Sequence, residues 1–176
     1  MKIIKKLLLI LLTLFVLLAV CFFALGFIYP KFEYQTRTEI NKPLDVSWNY
    51  FTDETKMVEW MKGFKKMETI SGKPNEIGSK YRMTFDEDGS EIVMTETVTD
   101  FKPNERFDFI LENEVIHDDV KIRFSEENGK TIIVQTDSIV GGNMFWRSLF
   151  AVMQSTFKAN ARGMYEDLKM NIEKIK

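Results

Sequence analysis

The chain of 176 residues carries 24 lysines and arginines against 26 acids, and its apolar residues, 45% of the whole, crowd toward one end. Setting aside Lys2, Lys5 and Lys6 at that end turns the net charge of −2 into about −5 for the remainder, which excludes a nucleic-acid partner because phosphate neutralisation needs a basic face. A single cysteine and a single histidine exclude a disulfide framework and a Cys/His zinc site, so neither metal nor cofactor is expected.

Leu7 to Ile28 is uncharged and apolar, interrupted only by the hydroxyl of Thr13. As a helix it is about 33 Å long, enough to cross a hydrocarbon core of about 30 Å. A cleaved signal peptide needs a shorter core and a small-x-small site. Leu18-Ala19-Val20-Cys21 partly resembles a lipobox, but Val20 is bulky where that motif is small, and the run continues through Phe22, Phe23 and Leu25. The leading expectation is therefore an uncleaved membrane anchor over residues 1–30, with a transmembrane helix at 7–28. Lys2, Lys5 and Lys6 face a mixed Lys31, Glu33, Arg37 and Glu39 across this run. The positive-inside rule then puts the N-terminus in the cytoplasm and the rest outside the cell membrane. A linker of Lys31 to Glu33 and one domain over 34–176 are expected to follow.

Tyr34 to Ile40 is rich in β-formers, and Asn41-Lys42-Pro43 stops it, with Asn41 a candidate cap and Pro43 suited to a first helical turn. Leu44, Trp48 and Phe51 recur at helical spacing; Thr52-Asp53-Glu54 reads as a second helix start, followed by Met57, Val58 and Met61 on one face. The period then falls to two. Phe64 to Ile70, Tyr81 to Phe85, Ser90 to Thr99, Arg106 to Glu112, Ile116 to Ser125 and Lys130 to Val140 read as strands, divided by turns such as Asp86–Gly89 and Glu127-Asn128-Gly129. Gly141-Gly142 ends the series, and Asn143 is placed to cap a helix of about thirty residues. Its stripe runs through Trp146, Leu149/Phe150, Met153, Phe157, Ala161, Met164, Leu168, Ile172 and Ile175. An amphipathic helix beside an antiparallel meander must lie across the sheet, because neither apolar face is stable in water.

This order resembles the helix-grip fold of the SRPBCC superfamily, which groups START-type lipid carriers, birch-pollen-allergen-like proteins and polyketide cyclases. The branch of polyketide cyclase/dehydrase and lipid transport is most similar. The resemblance is carried by I-N-K-P-L-D-V-S-W-N-Y-F-T-D at Ile40–Asp53, the second helix with Trp60, I-S-G-K-P-N-E-I-G-S-K-Y at Ile70–Tyr81, V-T-D-F-K-P-N-E-R-F at Val98–Phe107, and N-G-K-T-I-I-V at Asn128–Val134. It implies an α+β fold in which a curved antiparallel sheet wraps a long C-terminal helix around an apolar cavity, roofed partly by the two short helices. It implies no reaction, since members include carriers, cyclases, hydrolases, receptors and activators of a heat-shock ATPase.

Few residues carry chemistry. His117 lies in the polar phase of its strand and reads as exposed, and Asp86–Gly89 reads as a solvated hairpin tip rather than a calcium loop. Two carboxylates fall in apolar phases: Glu96 with Ile92, Met94 and Val98, and Asp118 with Ile116, Val120 and Ile122. Facing a cavity they would be desolvated, with raised pKa values, and fit for general acid–base work or for holding a ligand hydroxyl or amine; a strand bulge or a partly exposed phase would leave them without that role. Trp48, Phe51, Trp60, Met61, Tyr81, Met83, Phe85, Phe107, Phe109, Phe124, Met153 and Phe157 are the candidate ligand-lining set, with Trp60 and Met61 near the rim. Methionine-rich apolar surfaces adapt to varied ligands. The functional expectation is a membrane-anchored binder of a lipid or other hydrophobic small molecule drawn from the bilayer. The alternatives are a cyclase/dehydrase-like enzyme using Glu96 or Asp118, and an envelope interaction module with a closed core.

Overall fold

Residues 2–175 are described here from a computed structural model. Helix α1 (Lys2–Ile28) stops before Pro30, and strand β1 (Lys31–Ile40) begins at once. Lys31 to Glu33, expected as a linker, are instead the first residues of β1. Phe32 points inward between the exposed Lys31 and Glu33 and pairs with Ile139 far along the chain. Helix α2 (Leu44–Phe51) follows Pro43, whose extended ψ of 156° turns the chain into it. Asn41 does not cap that helix; its backbone and side-chain amides both donate to Glu173 Oε1 at 2.8 Å, fastening the end of β1 to the chain's last turn. The Asp53 carboxylate accepts from the Thr55 N–H at 2.9 Å and opens a 3₁₀ turn, Glu54–Lys56, that runs into the short helix α3 (Met57–Trp60).

Six strands follow: β2 (Phe64–Ser71), β3 (Lys80–Glu87), β4 (Ser90–Lys102), β5 (Arg106–Glu112), β6 (Ile116–Glu127) and β7 (Lys130–Gly141). Asp88-Gly89 joins β3 to β4 and Asn128-Gly129 joins β6 to β7. All four residues take positive φ (51°, 87°, 54° and 73°), the backbone of the two-residue turns whose twist matches antiparallel strands. The sheet order is β1-β7-β6-β5-β4-β3-β2, antiparallel throughout.

Helix α4 (Met144–Glu173) begins at Asn143, whose Oδ1 accepts from the Trp146 N–H at 3.2 Å. Asn143→Ala is expected to cost about 1 kcal/mol, measured by thermal unfolding of the full chain in detergent. The helix lies along β1 and β7; α1 crosses one end of it and α2 and α3 pack at the other. Thirty residues make α4 about 45 Å long. Phe150, Ala161, Leu168 and Ile172 are buried as their spacing requires, whereas Ile175 lies past the helix end and is exposed.

Two apolar clusters share the space between α4 and the sheet. The larger gathers Ile40, Trp48, Phe51, Trp60, Tyr81, Phe107, Val120, Ile133 and Leu168 beneath α2 and α3. The smaller joins Phe32, Ile139 and Phe150, with Tyr34, Ile116, Trp146 and Phe157 against them, toward the start of α4. Along β7 the inward positions run Ile133, Gln135, Asp137, Ile139, so a polar belt divides the two clusters.

Candidate functional site

The aromatic segment at α2 and α3 packs mainly on itself and on the sheet. Trp48 meets Phe101 and Phe124 at ring distances of 5.5 and 5.0 Å, and Phe51 meets Trp60, Phe107 and Phe124 at 5.3, 6.3 and 5.2 Å. Trp60 is buried, yet its Nε1 has no hydrogen-bond partner among the described residues. Of the residues expected to line a ligand, Trp48, Phe51, Trp60, Met61, Tyr81, Met83, Phe85, Phe107, Phe109 and Phe124 belong to the larger cluster or pack against it. Phe157 belongs with the smaller cluster, tilted against Phe32 and edge-on to Phe150. Met153 is half-buried on α4. Trp60 and Met61, expected at a cavity rim, sit near the C-terminal end of α4, where Asn171 Nδ2 donates to Glu59 O at 2.8 Å. Helix α1 meets the opposite end of α4, so these two residues lie far from the apolar helix and not just above it.

Both acids face inward and are buried: Glu96 is 4% and Asp118 8% exposed. They share one row of the sheet. Glu96 pairs with Leu111 and Leu111 with Asp118, which sets the acids two strand spacings, roughly 10 Å, apart at the backbone. Tyr81 and Ile139 continue the row on either side. Burial, reinforced by the nearby Glu54 carboxylate, pushes the Glu96 carboxyl up to about 7. Burial and then Asp137 push Asp118 up to about 8, against the Ser138 N–H that donates to its Oδ1 at 3.2 Å.

The polar belt escaped the sequence reading. The Tyr165 hydroxyl donates to Gln135 Oε1 at 2.5 Å, and Gln135 Nε2 donates to Asp137 Oδ1 at 2.6 Å. Asp137 is 2% exposed and burial pushes its carboxyl up to about 6; its Oδ2 has no partner among the described residues. Burial, with Asp137 beside it, raises the hydroxyls of Tyr34 and Tyr165 well above the ordinary tyrosine range. His117 is half-buried, with Nδ1 2.8 Å from Glu112 Oε2.

A small hollow adjoins Glu96. A cavity of about 20 Å³, room for about one water, is bounded by Glu96, Tyr81, Phe107, Thr52, Glu54 and Met67. Glu54 and Met67 also wall an outer groove of about 320 Å³ between the 3₁₀ turn, α3 and β2. Because α4 follows β1 and β7, the inward face of β4 and β5 is less fully covered: Ile92, Met94, Phe109 and Leu111 are only half-buried although they point inward.

Seven antiparallel strands with a long C-terminal helix across them, a short-helix pair after the first strand and an inward face bearing buried acids define a helix-grip domain of the SRPBCC class. Residues 41–170 match the family described as "Activator of Hsp90 ATPase homolog 1-like protein", and the chain belongs to that family. Among solved structures it is similar to the Zhui aromatase/cyclase from Streptomyces sp. R1128 (14% identity, TM-score 0.67, covering 81% of this chain and 94% of that one). Ara h 8.0201 gives 12% identity and a TM-score of 0.65 over 81% of this chain and 97% of that one. A conserved protein from Geobacillus kaustophilus gives 14% and 0.67 over 81% and 96%. At these identities the likeness is one of fold. No curated protein sequence matches the chain.

Proposed function

We propose that this chain is a membrane-anchored binding protein for an amphiphilic, largely apolar small molecule, held against the concave face of β4 and β5. The observation that carries this reading is the row Glu96–Leu111–Asp118. It presents a half-buried apolar wall flanked by two buried carboxyls, among inward apolar side chains that are incompletely covered. Sites for such molecules are mostly apolar with a few placed polar groups that fix orientation. Carboxyls held near neutrality suit a ligand hydroxyl or amine, accepting from it when ionised and donating to it when protonated. The apolar helix α1, uncharged from Leu7 to Ile28 and with three lysines at its start, supports an anchor whose N-terminus is cytoplasmic and whose domain, residues 34–176 with the start of β1, lies outside.

Native mass spectrometry of the full chain released from detergent micelles tests this. A co-purified apolar molecule is expected on the wild type, and its occupancy should fall at least tenfold in Leu111→Trp, which fills the wall between the acids. Empty protein in both preparations would overturn the reading. A second reading is catalytic: Glu96 and Asp118, both raised toward neutrality on one row, are able to exchange protons with one bound molecule. It requires that Glu96→Gln and Asp118→Asn retain the captured molecule but leave it chemically unconverted.

A further inference from the structure

Helix α1 does not leave the domain as a free tether. Its last turns cross the first turns of α4 at Gly26, which is buried there; a Cβ at that position would lie 2.7 Å from the Ser148 backbone nitrogen and 3.0 Å from Met144 O. Only glycine lets the two backbones come so close, as at small-residue crossings of membrane helices. Phe22 of α1 stacks at 5.8 Å from Phe145 of α4, and Phe145 meets Trp146 at 5.2 Å. Phe22 lies six residues, about 9 Å, inside the end of α1.

The surface around this crossing is apolar and open. Phe27, Ile28 and Tyr29 are 78%, 62% and 52% exposed, and Met144 and Phe145 are 40% and 48% exposed. Between Met144 and Phe157 the only charged side chain is Arg147, and its Nε turns back to donate to Gly141 O at 3.2 Å. The exposed start of α4 is thus continuous with the lipid-facing surface of α1. Tyr29 and Trp146 bracket it, as amphipathic aromatics do at the headgroup level.

We infer that the first turn of α4, Met144 and Phe145 above all, is inserted into the bilayer beside α1, with lipid acyl chains as its partner. The inference rests on the reading of α1 as a membrane anchor. It adds that the domain is held by two helices in one orientation, with the smaller apolar cluster toward the membrane and α2 and α3 away from it. The occupant is lipid rather than a second copy of the chain because the exposed patch merges with a helix that is apolar on every side.

Single cysteines at Phe15, Phe145 and Val58, each in a Cys21→Ser background, are labelled with bimane in the full chain reconstituted into phosphatidylcholine nanodiscs containing doxyl lipids. Quenching by the doxyl groups is expected at Phe15→Cys and Phe145→Cys, and quenching by aqueous iodide at Val58→Cys. In Gly26→Leu, quenching at position 145 should drop several-fold while position 15 is unchanged. If position 15 is quenched by lipid but position 145 behaves like position 58, the inserted turn is overturned and the anchor stands. If position 15 itself answers only to iodide, the anchor fails and the inference with it. Unchanged quenching at position 145 in Gly26→Leu would overturn the docking at Gly26 as its cause.

Discussion

Replacing Tyr165 with alanine is expected to lower stability by about 3–5 kcal/mol, the range for emptying a fully buried aromatic site. Tyr165 is 1% exposed and sits on α4 over the polar belt, so its removal opens a hole where helix and sheet meet and strips Gln135 of its donor. Tyr165→Phe keeps the ring and loses only the hydroxyl. It should cost about 1–3 kcal/mol, because the buried Gln135 oxygen is left without a partner. Thermal unfolding of the full chain in detergent, followed by tryptophan fluorescence, checks both. Equal effects for the two variants would show that the hydroxyl matters and the ring does not, contrary to this packing.

Wild-type stability is expected to fall as pH rises from about 4 to about 8. Glu96, Asp118 and Asp137 have folded-state values raised to about 7, 8 and 6, above the ordinary carboxyl values near 4. In that window the native state holds protons that the unfolded chain releases, so the stabilisation is complete below about 4 and lost as each folded value is passed. Exposed carboxylates lowered by partners, such as Glu39 with Lys130 and Asp86 with Lys65, act the other way, and only at more acid pH. Asp137→Asn and Asp118→Asn should therefore overtake the wild type as pH rises. The gap should widen by up to about 1.4 kcal/mol per pH unit and stay level above the folded value. Unfolding midpoints at pH 5, 6.5 and 8 decide it; parallel pH curves for variant and wild type would show that neither acid is protonated in the native state.

The element order was legible because glycine, asparagine and proline mark nearly every boundary, and because β3, β5 and β6 alternate cleanly. The apolar phase that holds Glu96 and Asp118 was legible for the same reason, since each sits among apolar neighbours two residues away; which way that phase faces was not. The belt was not. Gln135-Thr136-Asp137-Ser138 offers four polar residues in a row, and only Ile133 and Ile139 outside it reveal that Gln135 and Asp137 point inward. Tyr165 was passed over because the stripe from Ala161 to Leu168 is completed equally well by Met164, and spacing alone does not choose between them. The strand character of Lys31 to Glu33 was hidden by two charges around one phenylalanine, although that is the alternation of an edge strand with one face in water. The crossing at Gly26 has no sequence signal apart from a glycine in an otherwise bulky run.

The pairing of β1 with β7 has a consequence for how the chain is made. The strand that pairs with β1, β7, and the helix that α1 crosses at Gly26, α4, both lie in the last third of the sequence. During synthesis α1 and β1 emerge before β7 and α4, and β1 has no strand to pair with until about a hundred further residues follow. Contacts of such separation close slowly, and an unpaired strand edge is open to wrong partners meanwhile. A nascent chain of this kind depends on whatever shields β1 until β7 is made, and a premature stop before Lys130 leaves β1 without the one strand it pairs with.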